Sequence, residues 1–193
     1  MKNKKTFFII ALVFVLLIGG ATVLYRQLGK NIAAEQLATQ STSQSDESAA
    51  GETEQKIKAP DFTVYDADGN EVHLADYIGK PIVLNFWASW CGPCQSEMPD
   101  FHEKYLELGD DVHFLMINMT DGARETVESA SAFIAKNGYA FPVFYDTKSD
   151  AASIYGAYSL PTTFFIDADG YAIAQATGAI DAETLQRGLD MIK

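Results

Sequence analysis

Hydrophobic and polar positions fall into three regimes along the chain. Phe7 to Tyr25 is a run of 19 residues without charge. Residues 31–59 are rich in Ser, Thr, Gln, Ala and Glu, lack aromatics, and hold only Ile32, Leu37 and Ile57 as large aliphatics. Residues 60–193 alternate short apolar runs with amphipathic stretches. A bilayer core of about 30 Å needs roughly 20 apolar residues as a helix, so the first run predicts a transmembrane anchor. A cleaved signal peptide is the competing reading, since Gly19-Gly20-Ala21 offers small residues for cleavage. The run, however, exceeds the ~7–15 residues of a signal h-region. Cysteine is absent from its end, which excludes a lipoprotein anchor. The second regime cannot bury enough apolar surface to offset its ordering entropy, and reads as a flexible tether with a span of roughly 30 Å.

The third regime, 134 residues long, is one domain in size. Phe62–Tyr65 and Glu71–Leu74 predict a hairpin about the Asp68-Gly69 turn. Pro81–Trp87 and Val112–Asn118 are nearly continuous apolar runs, the mark of strands buried on both faces. Between them a helix starts near Cys91, with Met98, Phe101, Tyr105 and Leu108 at helical spacing. A second helix spans Arg124–Lys136 and stops at Asn137-Gly138; a strand at Pro142–Tyr145 and a short helix at Ser149–Tyr155 follow. Thr162–Ile166 and Tyr171–Thr177 form a hairpin about Asp169-Gly170, and Asp181 caps a last helix carrying Leu185, Leu189 and Ile192 on one face. The alternation predicts an α/β domain with a sheet covered on both faces.

Charge gives this layout a direction. The chain has 193 residues and a net charge of −12. Its first 30 residues carry five bases and no acid, whereas the remainder holds all 26 acids against nine bases, a net −17. By the positive-inside rule the N-terminus stays cytoplasmic and the rest faces outward. Residues 1–30 are thus a basic start and anchor, 31–59 a tether, and 60–193 the working domain. The acidic balance argues against nucleic acid as a partner. Two cysteines are too few for a disulfide scaffold, and without His73, His102 and His113 they cannot close a zinc site; neither metal nor cofactor is expected.

Those two cysteines lie in Trp90-Cys91-Gly92-Pro93-Cys94, where a buried strand gives way to a helix. The spacing puts Cys94 one turn along, so the two sulfurs can meet as a redox-active disulfide. Cys91 falls at the helix N-terminus, where free N–H groups and the macrodipole favour a thiolate, the attacking species. Cys94, further in, is the resolving thiol. Pro93 suits the first turn, where its missing N–H costs nothing. Glu97 shares the helix face of Cys94 and can accept its proton if burial raises the carboxyl pKa towards the working pH. Its alternative is a solvated glutamate aiding the helix dipole. Trp87 and Trp90 are read as packing around the motif.

Phe86-Trp-Ala-Ser-Trp-Cys-Gly-Pro-Cys94 resembles thioredoxin. The anchor and tether, Leu74-Ala-Asp-Tyr-Ile-Gly-Lys-Pro81, and Cys94-Gln-Ser-Glu-Met-Pro99 narrow the resemblance to membrane-anchored thiol-disulfide oxidoreductases of the TlpA/ResA type. That resemblance implies a thioredoxin-like fold with an N-terminal β-hairpin extension and an inserted helix, here Arg124–Lys136, after one transmembrane helix. It implies proton transfer by Glu97, and a cis-proline loop at Ser159-Leu-Pro-Thr-Thr163, with Pro161 facing the cysteines and the Leu160 backbone pairing with substrate. Trp90, Gly92 and Pro93 would complete the substrate-binding surface. Asn85 departs from thioredoxin, which has a buried aspartate there; an amide cannot take the proton, and Asn85 is read as a hydrogen-bonding core residue. Pro99 predicts a kink within the helix.

The implied function is a reductase of disulfides in exported proteins, held at the cell membrane by a single span with its C-terminal domain outside the cytoplasm. Its partners are protein disulfides or thiols and a membrane thiol relay as electron donor; substrates by analogy include apocytochrome c thiols in cytochrome c maturation. Gly92-Pro93 is the dipeptide of thioredoxin, whose potential is about −270 mV, against about −120 mV for a strong oxidant. An oxidase that introduces disulfides is the alternative. A thiol peroxidase is disfavoured, because peroxiredoxins place a threonine three residues before the reactive cysteine and Ala88 stands there.

Overall fold

The structure is a computed structural model that describes residues 37–39 and 56–193. The expected anchor Phe7–Tyr25 and most of the expected tether lie outside the described residues. Among the described residues no helix is long and apolar enough to cross a membrane.

Among the described residues nine strands form one sheet: β1 (Ala38–Thr39), β2 (Ile57–Lys58), β3 (Thr63–Tyr65), β4 (Glu71–His73), β5 (Ile82–Trp87), β6 (His113–Asn118), β7 (Val143–Tyr145), β8 (Thr162–Ile166) and β9 (Tyr171–Thr177). Their order is β1-β9-β8-β5-β6-β7-β3-β4, with β2 also on β9. The centre, β5, runs parallel to β6 and antiparallel to β8. Four α-helices among the described residues follow the expected order: α1 (Gly92–Leu108), α2 (Val127–Asn137), α3 (Asp150–Tyr155) and α4 (Ala182–Ile192). A 3-10 turn at Leu74–Tyr77 links the β3–β4 hairpin to β5. This is the expected thioredoxin-like architecture.

Strand alternation sorts the apolar side chains into two cores. Val83 and Trp87 of β5 join Phe114 and Met116 of β6, Met98 and Phe101 of α1, and Leu185 and Leu189 of α4. Ile82, Leu84 and Phe86 join Leu115, Ile117, Phe144 and Phe164, over which Ala151 and Ala152 of α3 pack. Asn85 lies in register with Val83 and Trp87 and so belongs to the α1 face. Helix α4 approaches the sheet closely at Gly188, where an added Cβ would come within 2.2 Å of the Phe165 ring.

Two segments differ from the sequence reading. Helix α2 begins at Val127, three residues later than expected. Oδ1 of Asp121 accepts the N–H groups of Ala123, Arg124 and Glu125, holding them in a turn. The helix then starts on a reciprocal cap between Thr126 and Ser129. The segment read as tether also contributes β1 and β2, both antiparallel to β9. These strands cover what would be an open sheet edge, and their backbone pairing needs no apolar pattern. Leu37 and Ala59 anchor them against the cores.

Candidate active site

Strand β5 ends at Trp87, and Ala88-Ser89-Trp90 carry the chain to Cys91, the N-cap of α1. Cys91 and Cys94 are joined as a disulfide, with their Cα atoms 5.2 Å apart. Cys91 is 5% exposed and Cys94 fully buried. The Cys94 N–H donates to Cys91 Sγ at 3.2 Å. A backbone donor thus already faces the sulfur that would bear the charge on reduction. Gly92 and Pro93 are exposed beside it, and Trp90 is 41% exposed. The Leu160-Pro161 peptide is cis, as expected from its loop. Thr162 pairs with Phe86 across β5 and β8, so this loop sits at the same end of the sheet as the cysteines. Leu160 is half-buried there and packs against the core that contains both. Helix α1 continues through Pro99.

Helix α1 buries Cys94, Glu97, Met98 and Phe101, one inward stripe. Glu97 occupies an apolar position in it and is 2% exposed. Its Oε1 accepts from Nδ2 of Asn85 at 2.8 Å, and its Oε2 from the Ile180 N–H at 3.0 Å. Burial raises its pKa to about 7, although both hydrogen bonds pull the other way. Asn85 also donates to Thr163 Oγ1 at 2.9 Å, so β5, β8, α1 and the turn before α4 meet at this carboxyl group. The solvated alternative for Glu97 does not hold, and Asn85 is the hydrogen-bonding core residue expected.

A second buried carboxylate escaped the sequence reading. Glu125, fully buried, accepts from Ser89 N at 2.9 Å, Ser89 Oγ at 2.7 Å and Asn118 Nδ2 at 2.8 Å. One residue along on each side, the Arg124 guanidinium carbon lies 3.5 Å from the Trp90 ring centroid. The β6–α2 loop is thereby fastened to the residues leading into Cys91. Asp121, which folds that loop, was the one available signal, because Asp before Gly122 marks a turn. Among the described residues no group of three or more His, Cys, Asp or Glu could hold a metal ion.

Comparison with known proteins agrees with this geometry. Residues 56–174 match the AhpC/TSA family. The thiol-disulfide oxidoreductase ResA of Geobacillus thermodenitrificans is 37% identical over 136 residues, 70% of this chain and 76% of that one. A putative thiol:disulfide interchange protein DsbE from Chlorobium tepidum superposes with a TM-score of 0.63 at 30% identity, covering 72% of this chain and 97% of the other. The exposed lipoprotein thioredoxin Etrx1 of Streptococcus pneumoniae gives 0.58 at 33% identity, covering 68% and 98%. The chain belongs to the AhpC/TSA family and to the thiol-disulfide oxidoreductases of the ResA type.

Proposed function

We propose that this chain is a membrane-anchored, extracytoplasmic reductase of protein disulfides that works through Cys91 and Cys94. In the reduced protein the Cys91 thiolate attacks one sulfur of a substrate disulfide. That S–S bond breaks, a mixed disulfide forms, and the first substrate sulfur leaves as a thiolate that takes up a proton. Cys94 passes its proton to the Glu97 carboxylate and attacks Cys91 Sγ. The mixed disulfide breaks, the second substrate sulfur leaves and is protonated, and the Cys91–Cys94 disulfide re-forms. Two electrons have passed to the substrate; a membrane dithiol relay returns them. The exposed Trp90, Gly92 and Pro93 and the Leu160-Pro161 loop receive the substrate chain.

The observation that carries the reading is the pairing of an N-capping cysteine with a buried carboxyl group poised near neutrality three residues beyond its partner thiol. A base works best with a pKa near the operating pH. The anchor rests on the 19-residue uncharged run and its basic flank. Apocytochrome c thiols and other exported proteins are the proposed substrates. The Ala88 position, apolar and buried, offers no hydroxyl to a peroxide. Trapping tests the assignment. Full-length Cys94→Ser should accumulate mixed disulfides with exported proteins, and Cys91→Ser should accumulate none. Equal trapping by both variants would contradict the roles given.

A further inference from the structure

Arg124 is a basic residue in a chain where, beyond residue 30, acids outnumber bases 26 to nine. Among the described residues it makes no salt bridge within 4.0 Å, unlike Lys56, which pairs with Asp167, and Lys104, which pairs with Glu107. Asp121, three residues before it in the loop, accepts three backbone N–H groups on Oδ1, that of Arg124 included, and the Arg124 charge adds to these in holding its carboxyl below the usual range. Arg124 itself is exposed.

Its side chain is nevertheless held in place. The guanidinium stacks on Trp90, immediately before Cys91. The neighbouring residues form a second rung, with Ser89 donating twice to the buried Glu125. Two adjacent rungs fix the loop against the active-site turn, so little side-chain freedom remains to be lost when a ligand binds. The guanidinium carbon lies over the ring, and among the described residues its N–H edges make no hydrogen bond. Those edges match a carboxylate in a two-point geometry that lysine cannot reproduce.

We propose that Arg124 is a specificity-determining residue, reading an aspartate or glutamate next to the disulfide cysteine of a substrate polypeptide. The inference rests on the reductase reading above and adds to it the chemistry of the substrate's flank. The acidic domain repels acidic chains at a distance, but over more than about 10 Å this is screened at physiological salt. Recognition is therefore a contact effect at the lip of the site. The exchange it serves is the one already written, with two electrons passing from the Cys91/Cys94 dithiol to the peptide disulfide.

The test uses the full-length protein with dithiothreitol as electron donor. Three disulfide peptides, identical except for Asp, Gly or Lys beside one cysteine, are compared by kcat/KM. Wild type should favour the Asp over the Lys peptide by up to about fivefold, the scale of an exposed ion pair. Arg124→Gln should abolish that preference, Arg124→Glu should reverse it, and Arg124→Lys should keep part of it. Lys80→Glu makes the same charge change at the opposite end of β5, where Lys80 donates to the Asp110 carbonyl, and should leave the preference intact. An unchanged preference in Arg124→Glu, an equal shift in Lys80→Glu, or an equal loss on all three peptides would each overturn the proposal. The last would mean that the charge acts on the Cys91 thiolate instead. Turnover of the Gly peptide without discrimination refutes the inference alone; failure to turn over any peptide refutes the reductase reading with it.

Discussion

Asn85 donates from Nδ2 to Oε1 of Glu97 at 2.8 Å, joining the central strand to the active-site helix between buried groups. In that pair the carboxyl group sits on the helix, and the strand supplies only an amide that steadies it. Thioredoxin carries its buried acid on the strand instead.

Stability should depend on pH through Glu97. Its folded pKa, about 7, lies above the unfolded value of 4.5, so the folded state holds this proton more tightly. The contribution is full below pH 4.5, falls as pH rises, and is lost above pH 7. A shift of that size amounts to on the order of 3 kcal/mol. Urea midpoints should therefore drop between pH 5 and pH 8 in wild type and stay nearly level in Glu97→Gln. The same variant should lose the inflection near pH 7 in the rate of Cys94-dependent resolution. A wild-type slope that persists in Glu97→Gln would remove the group from both roles.

Asn85→Asp should be costly above neutral pH. It replaces the donor with a second carboxylate at hydrogen-bonding distance, and two such groups cannot both ionise cheaply. The pair should retain one proton well above pH 7, visible as a raised carboxyl titration by NMR. Titration of Glu97 at an unchanged pH in this variant would show that the two groups do not communicate.

Glu125→Ala strips acceptors from Ser89 N–H, Ser89 Oγ and Asn118 Nδ2 at once. Asn118 is buried and Ser89 half-buried, and a buried group left unpaired costs about 1–3 kcal/mol. Thermal denaturation should show a loss of at least about 2 kcal/mol, and Trp90 fluorescence should shift as its loop loosens. Glu125→Gln, which keeps an acceptor, should lose less. Equal behaviour of the two variants would contradict the clamp.

Gly188→Ala should destabilise by overpacking, about 1–3 kcal/mol, since its Cβ would fall within 2.2 Å of the buried Phe165 ring. Phe165→Leu in the same background should restore part of the loss. A neutral Gly188→Ala would mean that α4 shifts freely on the sheet.

Legibility in the sequence followed the kind of force involved. Apolar runs and helical spacing gave the order from β3 to α4, because burial writes itself into periodicity. The Cys-x-x-Cys spacing placed Cys91 at a helix start, and the Ser159–Thr163 loop resemblance located the cis bond at Pro161. Strands β1 and β2 left no trace, since Ala38-Thr39 and Lys58 contribute backbone hydrogen bonds rather than apolar side chains. The Arg124–Trp90 stack joins residues 34 apart through a loop whose shape depends on one Asp121 oxygen accepting three N–H groups. No periodic pattern encodes such a contact.

The reduction potential of the Cys91/Cys94 couple tests the central claim most directly. Full-length protein is equilibrated in dithiothreitol buffers of graded redox poise, and the fraction of disulfide is read by thiol alkylation. The reductase account predicts a value near that of thioredoxin, about −270 mV; a value above about −150 mV would mark an oxidant and contradict it.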